Sequence, residues 1–432
     1  MRQWMVAAKK ADFYAIAEKF HVDPVVARII RNREVIGEKN IRIYLGGNLS
    51  DLSDPHQMKD MDRLVEILAQ KIRKQVHIRI IGDYDVDGVT SSHLFLTALR
   101  RVGAKVDVVI PHRIQDGYGL SLHLLQQAKE DGVDTILTCD NGIAAIDEIA
   151  WAKAQKMTVL VTDHHAVPFE EHEGRRTEKK SLADAVVNPH QQDCRYPYKE
   201  LCGAGVAWNV IRVLYENYDM DKREAEDLLD FVAMATVCDV MSLTGENRIL
   251  VKEGLKRIRH TKNIGLQALM QACNVQPENI SAYHFGYVLG PCVNATGRLD
   301  TARHALRLFE TGQETEAEEI ARDLVDLNQE RKELTLQGVE MAKKLCEEGG
   351  YENDPVLVLF LPDVHESIAG LIAGRIREMY NRPVFVLTRG EEGVKGSGRS
   401  TENYSMYENM CGCAELFTNC LLYTSPSPRD RG

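Results

Sequence analysis

The chain has 432 residues, enough for two or three domains, and a formal net charge of -11. This acidity argues against a protein that coats DNA through overall positive charge, although a metal centre or a local basic groove can hold phosphate on an acidic body. No apolar run approaches the roughly 18 to 20 residues that cross a membrane, so the sequence argues against a membrane-spanning protein and predicts a soluble one.

The ten cysteines indicate the redox compartment. They show no paired C-x-x-C spacing of the kind that binds zinc, and we find no signal peptide. We therefore expect reduced thiols in a cytoplasmic protein.

Residues 1–74 are predicted to form a helical lead-in. Phe13 and Phe20 fall on one helical face, and Leu64 and Leu68 belong to an amphipathic helix that leads into the first strand. We expect an α/β domain to begin directly after this helix, at about residue 75.

Residues 78–88 contain the first candidate functional side chains. Residues 78–81 are mostly apolar and β-branched, as in a buried strand, and a glycine marks its end. Asp83, Asp85 and Asp87 then alternate within five residues, and a helix begins near Gly88. Three carboxylates on one turn repel one another unless a cation lies between them. An isolated turn of this kind is also compatible with a solvated acidic loop.

The same arrangement recurs twice along the chain. A second predicted strand, residues 135–138, is followed by Asp140, and a third, residues 158–161, is followed by Asp163-His164-His165. In a parallel α/β sheet these strand ends lie along one edge, where ligands bind. Because independent loops would have no reason to place acids or imidazoles directly after each strand, the sequence predicts a metal site.

The rest of the first domain has weaker signals. Residues 172–180 are polar and predict a surface loop, and residues 185–187 predict a fourth strand. Two helices follow, with Asp239 at the end of the second, and the chain is then mainly helical to about residue 309.

A second unit is predicted beyond that point. Residues 316–345 predict one long polar helix, too irregular for a sustained coiled coil. Strands at 356–360 and 383–387 then flank a helix. The predicted fold is therefore an α/β protein, in which a parallel-sheet domain is joined by a long helix to a smaller α/β domain.

Three motifs in this order resemble the DHH phosphoesterases: Asp-Tyr-Asp-Val-Asp-Gly at 83–88, Cys-Asp-Asn-Gly at 139–142 and Asp-His-His at 163–165. Further segments resemble the RecJ branch of that family, the single-strand-specific 5′→3′ exonucleases. These segments are Cys-Gly-Ala-Gly at 202–205, Thr-Val-Cys-Asp-Val-Met at 236–241, Asn-Ala-Thr-Gly-Arg-Leu at 294–299, Ile-Ala-Gly-Leu-Ile-Ala at 368–373 after His365, and Lys-Gly-Ser-Gly-Arg-Ser at 395–400. The resemblance runs from about residue 44 to residue 419.

The resemblance implies a domain organisation and an activity. A DHH catalytic domain with a helical extension would occupy residues 75–309, a connector helix residues 310–348, and an incomplete DHHA1-like substrate-binding domain residues 349–419. The implied activity is metal-dependent 5′→3′ hydrolysis of phosphodiester bonds in single-stranded DNA, in DNA repair and recombination.

The resemblance also implies a metal centre. Carboxylate and imidazole ligands together suit Mn²⁺, with Mg²⁺ as the substitute, and two ions would supply a nucleophile and bind the charge on the phosphate oxygens. The implied ligands are Asp85, Asp87, Asp140, His164 and Asp239. Asp83 and Asp163 are implied as further ligands or as acceptors that orient a histidine, and His165 as the residue that faces the scissile phosphate. Family members often carry a histidine where this chain has Ile81, so that ligand is not available here.

Substrate contacts are implied at six positions. The Gly-Ser-Gly-Arg-Ser stretch at 396–400 offers close backbone N–H groups and one guanidinium, which together suit a phosphate. The candidates are Arg113, Arg298, His365, Ser397, Gly398 and Arg399. An arginine beside a glycine is also common on an ordinary surface, and that interpretation stays open here.

Two other functions remain open. One is a DHH phosphatase acting on short oligonucleotides or nucleoside bisphosphates, although such small enzymes lack the helical lead-in and the long connector. The other is a non-catalytic DHH scaffold in a replication assembly, against which the intact set of acids argues. Besides single-stranded DNA, the expected partners are a single-strand-binding protein and a helicase, and we expect a monomer.

Residues 420–432 show no helix or strand pattern and resemble a translated sequencing adapter that follows a truncated gene; the alternative is an ordinary disordered tail rich in proline and serine. We predict that deleting them leaves the melting temperature and activity unchanged, because exposed tails carry little folding free energy. A calorimetric melt and a nuclease assay check this. A loss of more than about 1 kcal/mol in the free energy of unfolding would show that the tail is native.

Overall fold

The computed structural model describes residues 9–113, 116, 119–172, 175–351, 354–390, 393–411 and 413. The helices are α1 (Phe13–Phe20), α2 (Pro24–Asn32), α3 (Glu38–Gly46), α4 (Met61–Arg73), α5 (Val86–Arg101), α6 (Leu122–Glu130), α7 (Ile146–Ala154), α8 (Gly203–Asn217), α9 (Arg223–Glu226), α10 (Leu229–Cys238), α11 (Gly245–Arg257), α12 (Ile264–Ala272), α13 (Ala282–His284), α14 (Gly290–Leu299), α15 (Ala302–Glu310), α16 (Glu314–Glu348), α17 (Ala369–Tyr380) and α18 (Met406–Cys411). A π-helical turn, Phe285–Leu289, joins α13 to α14. The strands are β1 (Ile78–Ile81), β2 (Val106–Val109), β3 (Thr135–Cys139), β4 (Thr158–Thr162), β5 (Phe169–His172), β6 (Arg175–Glu178), β7 (Ala185–Val187), β8 (Leu357–Phe360), β9 (Val384–Gly390) and β10 (Gly393–Arg399).

The larger part of the molecule is built on a five-stranded parallel sheet with the order β2-β1-β3-β4-β7. The chain moves from β1 outward to β2 and then returns to place β3 on the other side of β1. This reversal leaves a crevice at the carboxyl ends of β1 and β3, which is where ligands bind in open α/β sheets. The predicted α/β class and parallel sheet are confirmed.

Both faces of this sheet are covered, which explains the nearly continuous apolar strands. Successive residues of one strand point to opposite faces. Ile80 and Leu137 therefore belong to the core formed with α4, α5, α8 and α10, whereas Ile81 and Ile136 pack against α6 and α7 on the other side. The lead-in helices α1 to α3 have a small core of their own.

One helix connects the two parts. At 1.5 Å per residue, the 35 residues of α16 extend for about 52 Å. Its first half packs into the main core through Ile320 and Leu324, and its second half packs into a separate core through Val339 and Ala342. That second core covers a three-stranded sheet, β10-β9-β8, with α17 against it. The long helix and smaller α/β unit agree with expectation, while the exact domain boundaries stay predictions.

The remaining sequence expectations have different outcomes. The predicted surface loop at 172–180 is wrong in part, because β5 and β6 form an antiparallel hairpin there. The sequence of this stretch is mostly polar and shows no alternation of apolar and polar residues, so it gives no strand signal. The expected tail at 420–432 lies outside the described residues. Among the residues that are described, no helix is long and apolar enough to span a membrane, and none of the eight cysteines is in a disulfide.

Candidate metal centre

The turn after β1 is held in one tight conformation. Asp85 caps α5, and its side chain accepts a hydrogen bond from the Gly88 backbone N–H at 3.0 Å. A Cβ atom at Gly88 would lie 2.5 Å from the backbone carbonyl oxygen of Asp83, so the turn requires glycine there. The three aspartates are thereby fixed on alternate positions of a turn that cannot spread apart.

Asp87 is buried and anchored by the first turn of α8. Its carboxylate accepts hydrogen bonds from the backbone N–H groups of Gly203, at 2.6 Å, and Ala204, at 2.8 Å. A helix N-terminus stabilises negative charge, so this contact favours the ionised form. A Cβ at Gly203 would lie 2.6 Å from Cβ of Asp140, so glycine also lets α8 approach the strand ends. This explains the Cys-Gly-Ala-Gly segment singled out in the sequence.

Asp140 follows β3 in a left-handed backbone conformation, with φ of 62°. Aspartate tolerates this conformation better than most residues. The next residue, Asn141, donates from its side chain to the carbonyl oxygens of Ile81, at 3.1 Å, and Cys139, at 2.9 Å. The ends of β1 and β3 are therefore tied together directly beneath the acids.

His164 is the point at which the acids converge. Its Nε2 lies 3.1 Å from Asp140 Oδ1 and 3.7 Å from both Asp87 Oδ2 and Asp239 Oδ2. Asp239 caps the C-terminus of α10, so the group is drawn from two strand ends and two helix ends. Nothing local in the sequence marks Asp239, which only the family resemblance indicated.

Asp163 and His165 form a second layer beside this group. His165 Nδ1 lies 2.7 Å from Asp163 Oδ1, and Asp163 also accepts from the backbone N–H of Ile143 at 2.9 Å. The side chains form three sets, and within each set the potential ligand atoms lie within 4.8 Å of one another. The sets are Asp140, His164 and His165; Asp87, His164 and Asp239; and Asp83, Asp85 and Asp140. Asp163 belongs to none of them, so its geometry favours the orienting role over the ligand role.

One supporting residue was missed by sequence reasoning. The side chain of Asn188 donates to the backbone carbonyl of His165 at 2.9 Å and so holds the Asp-His-His turn in place. It directly follows β7, so it repeats the pattern of a polar residue after each strand. That pattern could have identified it.

The electrostatics of the site are those of crowded buried carboxyls. Burial, followed by the charges of neighbouring aspartates, raises the pKa values of Asp83, Asp140 and Asp239 well above the usual range. Burial, followed by the charge of His165, lowers the pKa of His164 to about 4, which leaves its imidazole neutral and able to act as a ligand.

The pair beside it behaves in the opposite way. Burial opposes both charges, but their mutual attraction outweighs it, which lowers the pKa of Asp163 to about 2 and raises that of His165 to about 9.

The donor set fits divalent cations. Carboxylate oxygens and the neutral imidazole of His164 suit Mn²⁺ in particular, and the hard oxygen ligands also suit Mg²⁺. Among the described residues, Asp83 Oδ1 and Asp239 Oδ2 are buried without a hydrogen-bond partner. Such atoms are rare in proteins and call for an explanation such as a bound ion. We take this as an independent indication of a metal centre.

A cluster of arginines lies nearby. Arg298 donates to the carbonyl oxygen of Ser367 at 2.7 Å, which links α14 to the smaller unit. Burial, and then the charges of Arg113, Arg331 and Arg399, lowers the pKa of Arg298 to about 10. Burial together with Arg377 and Arg113 likewise lowers the pKa of Arg399. Positive charges that depress one another's pKa favour an anion between them.

The remaining predicted substrate residues are placed as follows. The guanidinium of Arg113 lies over the Tyr84 ring at 4.7 Å. Ser397 and Arg399 face α17, where a Cβ at Gly370 would lie 2.7 Å from Ser397 Oγ. His365 Nδ1 lies 2.6 Å from the Ser367 hydroxyl.

Gly398 points to the other face of β10, where an added Cβ would lie 2.6 Å from Met406 Sδ. The stretch at 396–400 falls largely in a strand paired with β9, rather than in a free loop.

Comparisons with known proteins show which proteins this chain resembles. Residues 77–236 match the model of the DHH family, N-terminal domain. The single-stranded-DNA-specific exonuclease RecJ of Haemophilus influenzae is 36% identical over 397 residues, covering 89% of this chain and 67% of that protein. The structure resembles that of the Thermus thermophilus RecJ in complex with Mn²⁺, with a TM-score of 0.78, 28% identity, and coverage of 94% of this chain and 56% of that one. The Mg²⁺ complex of the same protein gives a TM-score of 0.70 with 27% identity, covering 94% and 54%. The chain thus spans between about half and two thirds of the length of these relatives.

We predict that Asp239→Asn raises the unfolding temperature of the metal-free protein, by the equivalent of roughly 1 kcal/mol, because it removes a buried acid that neighbouring carboxylates repel. The same change should remove most of the rise in unfolding temperature that Mn²⁺ produces. Thermal unfolding in EDTA and in Mn²⁺ measures both effects.

Asp87→Ala removes a second acid of the same group but should have the opposite effect on stability. It should lower stability in EDTA by roughly 1 to 3 kcal/mol, because it leaves the buried N–H groups of Gly203 and Ala204 without an acceptor. A normal Mn²⁺ response of Asp239→Asn would show that Asp239 is not a ligand.

Proposed function

Because the chain belongs to the RecJ family of single-stranded-DNA-specific exonucleases, we propose that it hydrolyses single-stranded DNA from the 5′ end, one phosphodiester bond at a time. The observation that carries this proposal is the pairing of a buried carboxylate–imidazole centre with a nearby arginine cluster. The first group suits metal ions and the second suits a phosphate that precedes the scissile bond.

We propose two Mn²⁺ ions at the centre, with Mg²⁺ as the alternative. Asp85, Asp87, Asp140, His164 and Asp239 would hold them, with Asp83 as a further ligand. When bound, such ions lower the pKa of water and neutralise charge on the phosphate oxygens. Residues of the chain position the metal ligands and the substrate. Asp87 is fixed by α8, and Asp163 orients His165, whose imidazole would donate a hydrogen bond to the scissile phosphate.

The polarity of the reaction would follow from the arginine cluster. A terminal 5′-phosphate carries more charge than an internal one, and a bidentate guanidinium is suited to bind it. Arg113, Arg298 and Arg399 would bind this phosphate, with Ser397, Gly398 and His365 beside them. Arg298 already contacts the smaller unit, so both parts of the molecule would contribute to one phosphate site.

Further expectations accompany this function. We propose a monomer that acts in the cytoplasm, in DNA repair and recombination, together with a single-strand-binding protein and a helicase. We also retain the boundaries 1–74, 75–309, 310–348 and 349–419 as proposed domains. The phosphatase and scaffold alternatives are not favoured, because the similarity to exonucleases extends over 89% of this chain.

A nuclease assay with single-stranded DNA labelled at its 5′ or its 3′ end tests this function. In Mn²⁺, we expect 5′-labelled single strands to release labelled mononucleotide at once, while 3′-labelled strands shorten progressively and blunt duplexes resist. EDTA and the variant His164→Ala should abolish both signals. Release of inorganic phosphate without shortening would indicate a phosphatase, and immediate release of the 3′ label would reverse the proposed polarity.

We predict that Arg399→Ala weakens binding of a 5′-phosphorylated single strand roughly tenfold while slowing the chemical step less, because it contacts phosphate rather than the reacting water. The slope of log affinity against log salt should fall by about one. Arg389→Ala is the control, since Arg389 is an exposed arginine on the neighbouring strand β9. Unchanged affinity and salt slope in Arg399→Ala would remove Arg399 from the site.

A further inference from the structure

Two exposed tyrosines lie on the helical segment that passes beside the candidate metal centre. Tyr283 is 63% exposed and Tyr287 is 64% exposed. Their rings are stacked on each other, with centroids 5.1 Å apart and planes 24° apart. A single exposed aromatic side chain needs no explanation, but a stacked pair presents a continuous apolar surface of the kind that marks binding sites.

The backbone around the pair is unusual. Tyr287 lies in the π-helical turn, a rare conformation that occurs often at functional sites. Phe285 and Leu289, on either side of it, are fully buried, so the turn is fixed to the core while Tyr287 extends into solvent. The pair is therefore held on a rigid element.

This turn packs directly against the end of α10. The thiol of Cys238 donates to the carbonyl oxygen of Phe285 at 3.3 Å, and a Cβ at Gly290 would collide with the same sulfur. Cys238 immediately precedes Asp239. The tyrosine pair and the candidate metal ligand are thus attached to the two sides of one close helix contact.

Val240 is a second unusual residue next to the candidate ligand Asp239. It follows Asp239 in a left-handed conformation, with φ of 58°, and is 55% exposed. The backbone N–H of Met241 bonds to the carbonyl of Thr236 at 3.2 Å, which closes a turn where glycine is usual. A β-branched residue in this conformation is strained, and such strain concentrates at functional sites.

The opposite end of the segment leads to the arginine cluster. From Tyr283 the helix continues through Asn294, whose side chain accepts from the Val86 backbone N–H at 3.2 Å, to Arg298. At 1.5 Å per residue, Tyr283 and Arg298 lie about 22 Å apart along the axis. A strand anchored by its 5′-phosphate near Arg298 would therefore pass the acids before it reaches the tyrosines.

We propose that Tyr283 and Tyr287 form a stacking platform for the bases of single-stranded DNA on the 3′ side of the scissile phosphate. This inference rests on the proposed function. Every base has a π-face, so stacking on aromatic rings tolerates any sequence, and it needs unpaired bases. It also supplies affinity without charge, which suits an acidic chain.

The test measures strand binding in EDTA, where no hydrolysis occurs. The probes are a 5′-phosphorylated single strand with ordinary bases and one of equal length with abasic sites in its 3′ part. The variants are Tyr283→Ala/Tyr287→Ala, the conservative Tyr283→Phe/Tyr287→Phe, and Tyr14→Ala, which removes a tyrosine 77% exposed on α1. Unfolding temperatures confirm that all of them fold.

We expect the double alanine variant to bind the ordinary strand roughly tenfold to a hundredfold more weakly, and the abasic strand as the wild type does. The phenylalanine variant should match the wild type, as should Tyr14→Ala. In Mn²⁺, the alanine variant should show a raised KM with little change in kcat. Three results would each contradict the stacking platform: an equal loss of affinity for the ordinary and the abasic strand, no loss of affinity for either strand, or weakened binding by the phenylalanine variant.

The results can distinguish a failure of the stacking platform from a failure of the proposed exonuclease function. A wild-type chain that binds the ordinary strand through the tyrosines but degrades nothing would support the platform and contradict the exonuclease. A chain that degrades strands from the 5′ end with full affinity in the double alanine variant would do the reverse.

Discussion

Mutual repulsion among buried carboxylates is the constraint on which the rest of the structure depends. Asp87 and Asp140 lie within reach of one imidazole nitrogen, in an environment that raises the pKa of both. The surrounding elements counter this repulsion where they can. The N-terminus of α8 stabilises Asp87, and the Asp163–His165 pair keeps a separate charge balanced next to the cluster. A divalent cation would neutralise the negative charge of the aspartates that remains.

The position of this cluster follows from the chain topology. The reversal of strand order between β1 and β3 opens the crevice, and Asn141 ties the two strand ends beneath it. The acids from the two turns meet because a parallel sheet brings every carboxyl end to one edge. Under the proposed function the smaller unit would complete the site, since Arg298 bonds to its backbone and Arg399 belongs to it. Binding of a phosphate would therefore also join the two units.

Much of this could be predicted from sequence, and the reasons for the rest are physical. The strand-then-acid pattern identified Asp83 to Asp87, Asp140 and the Asp-His-His turn, because strand ends and turn glycines are local signals. Asp239 had no such signal, since it ends an ordinary buried helix, and only the resemblance indicated it. The β5–β6 hairpin was missed because its sequence is mostly polar and shows no alternation of apolar and polar residues. No sequence signal singled out Tyr283 and Tyr287, because hydrophobic periodicity encodes neither side-chain exposure nor a π-helical turn.

The uninterrupted helix α16 has a consequence for how such chains can change in length. Both cores hold the same helix, so the smaller unit has a fixed rotation about the helix axis relative to the larger one. Each residue inserted or deleted between the two contact regions would turn the smaller unit by about 100° and shift it by about 1.5 Å. A single-residue change would thus turn Arg399 away from the acids, whereas a change of seven residues, nearly two full turns, would almost restore its direction but move the smaller unit by about 10 Å along the axis. The length of the connector therefore sets both the direction that the smaller unit faces and its distance along the helix axis.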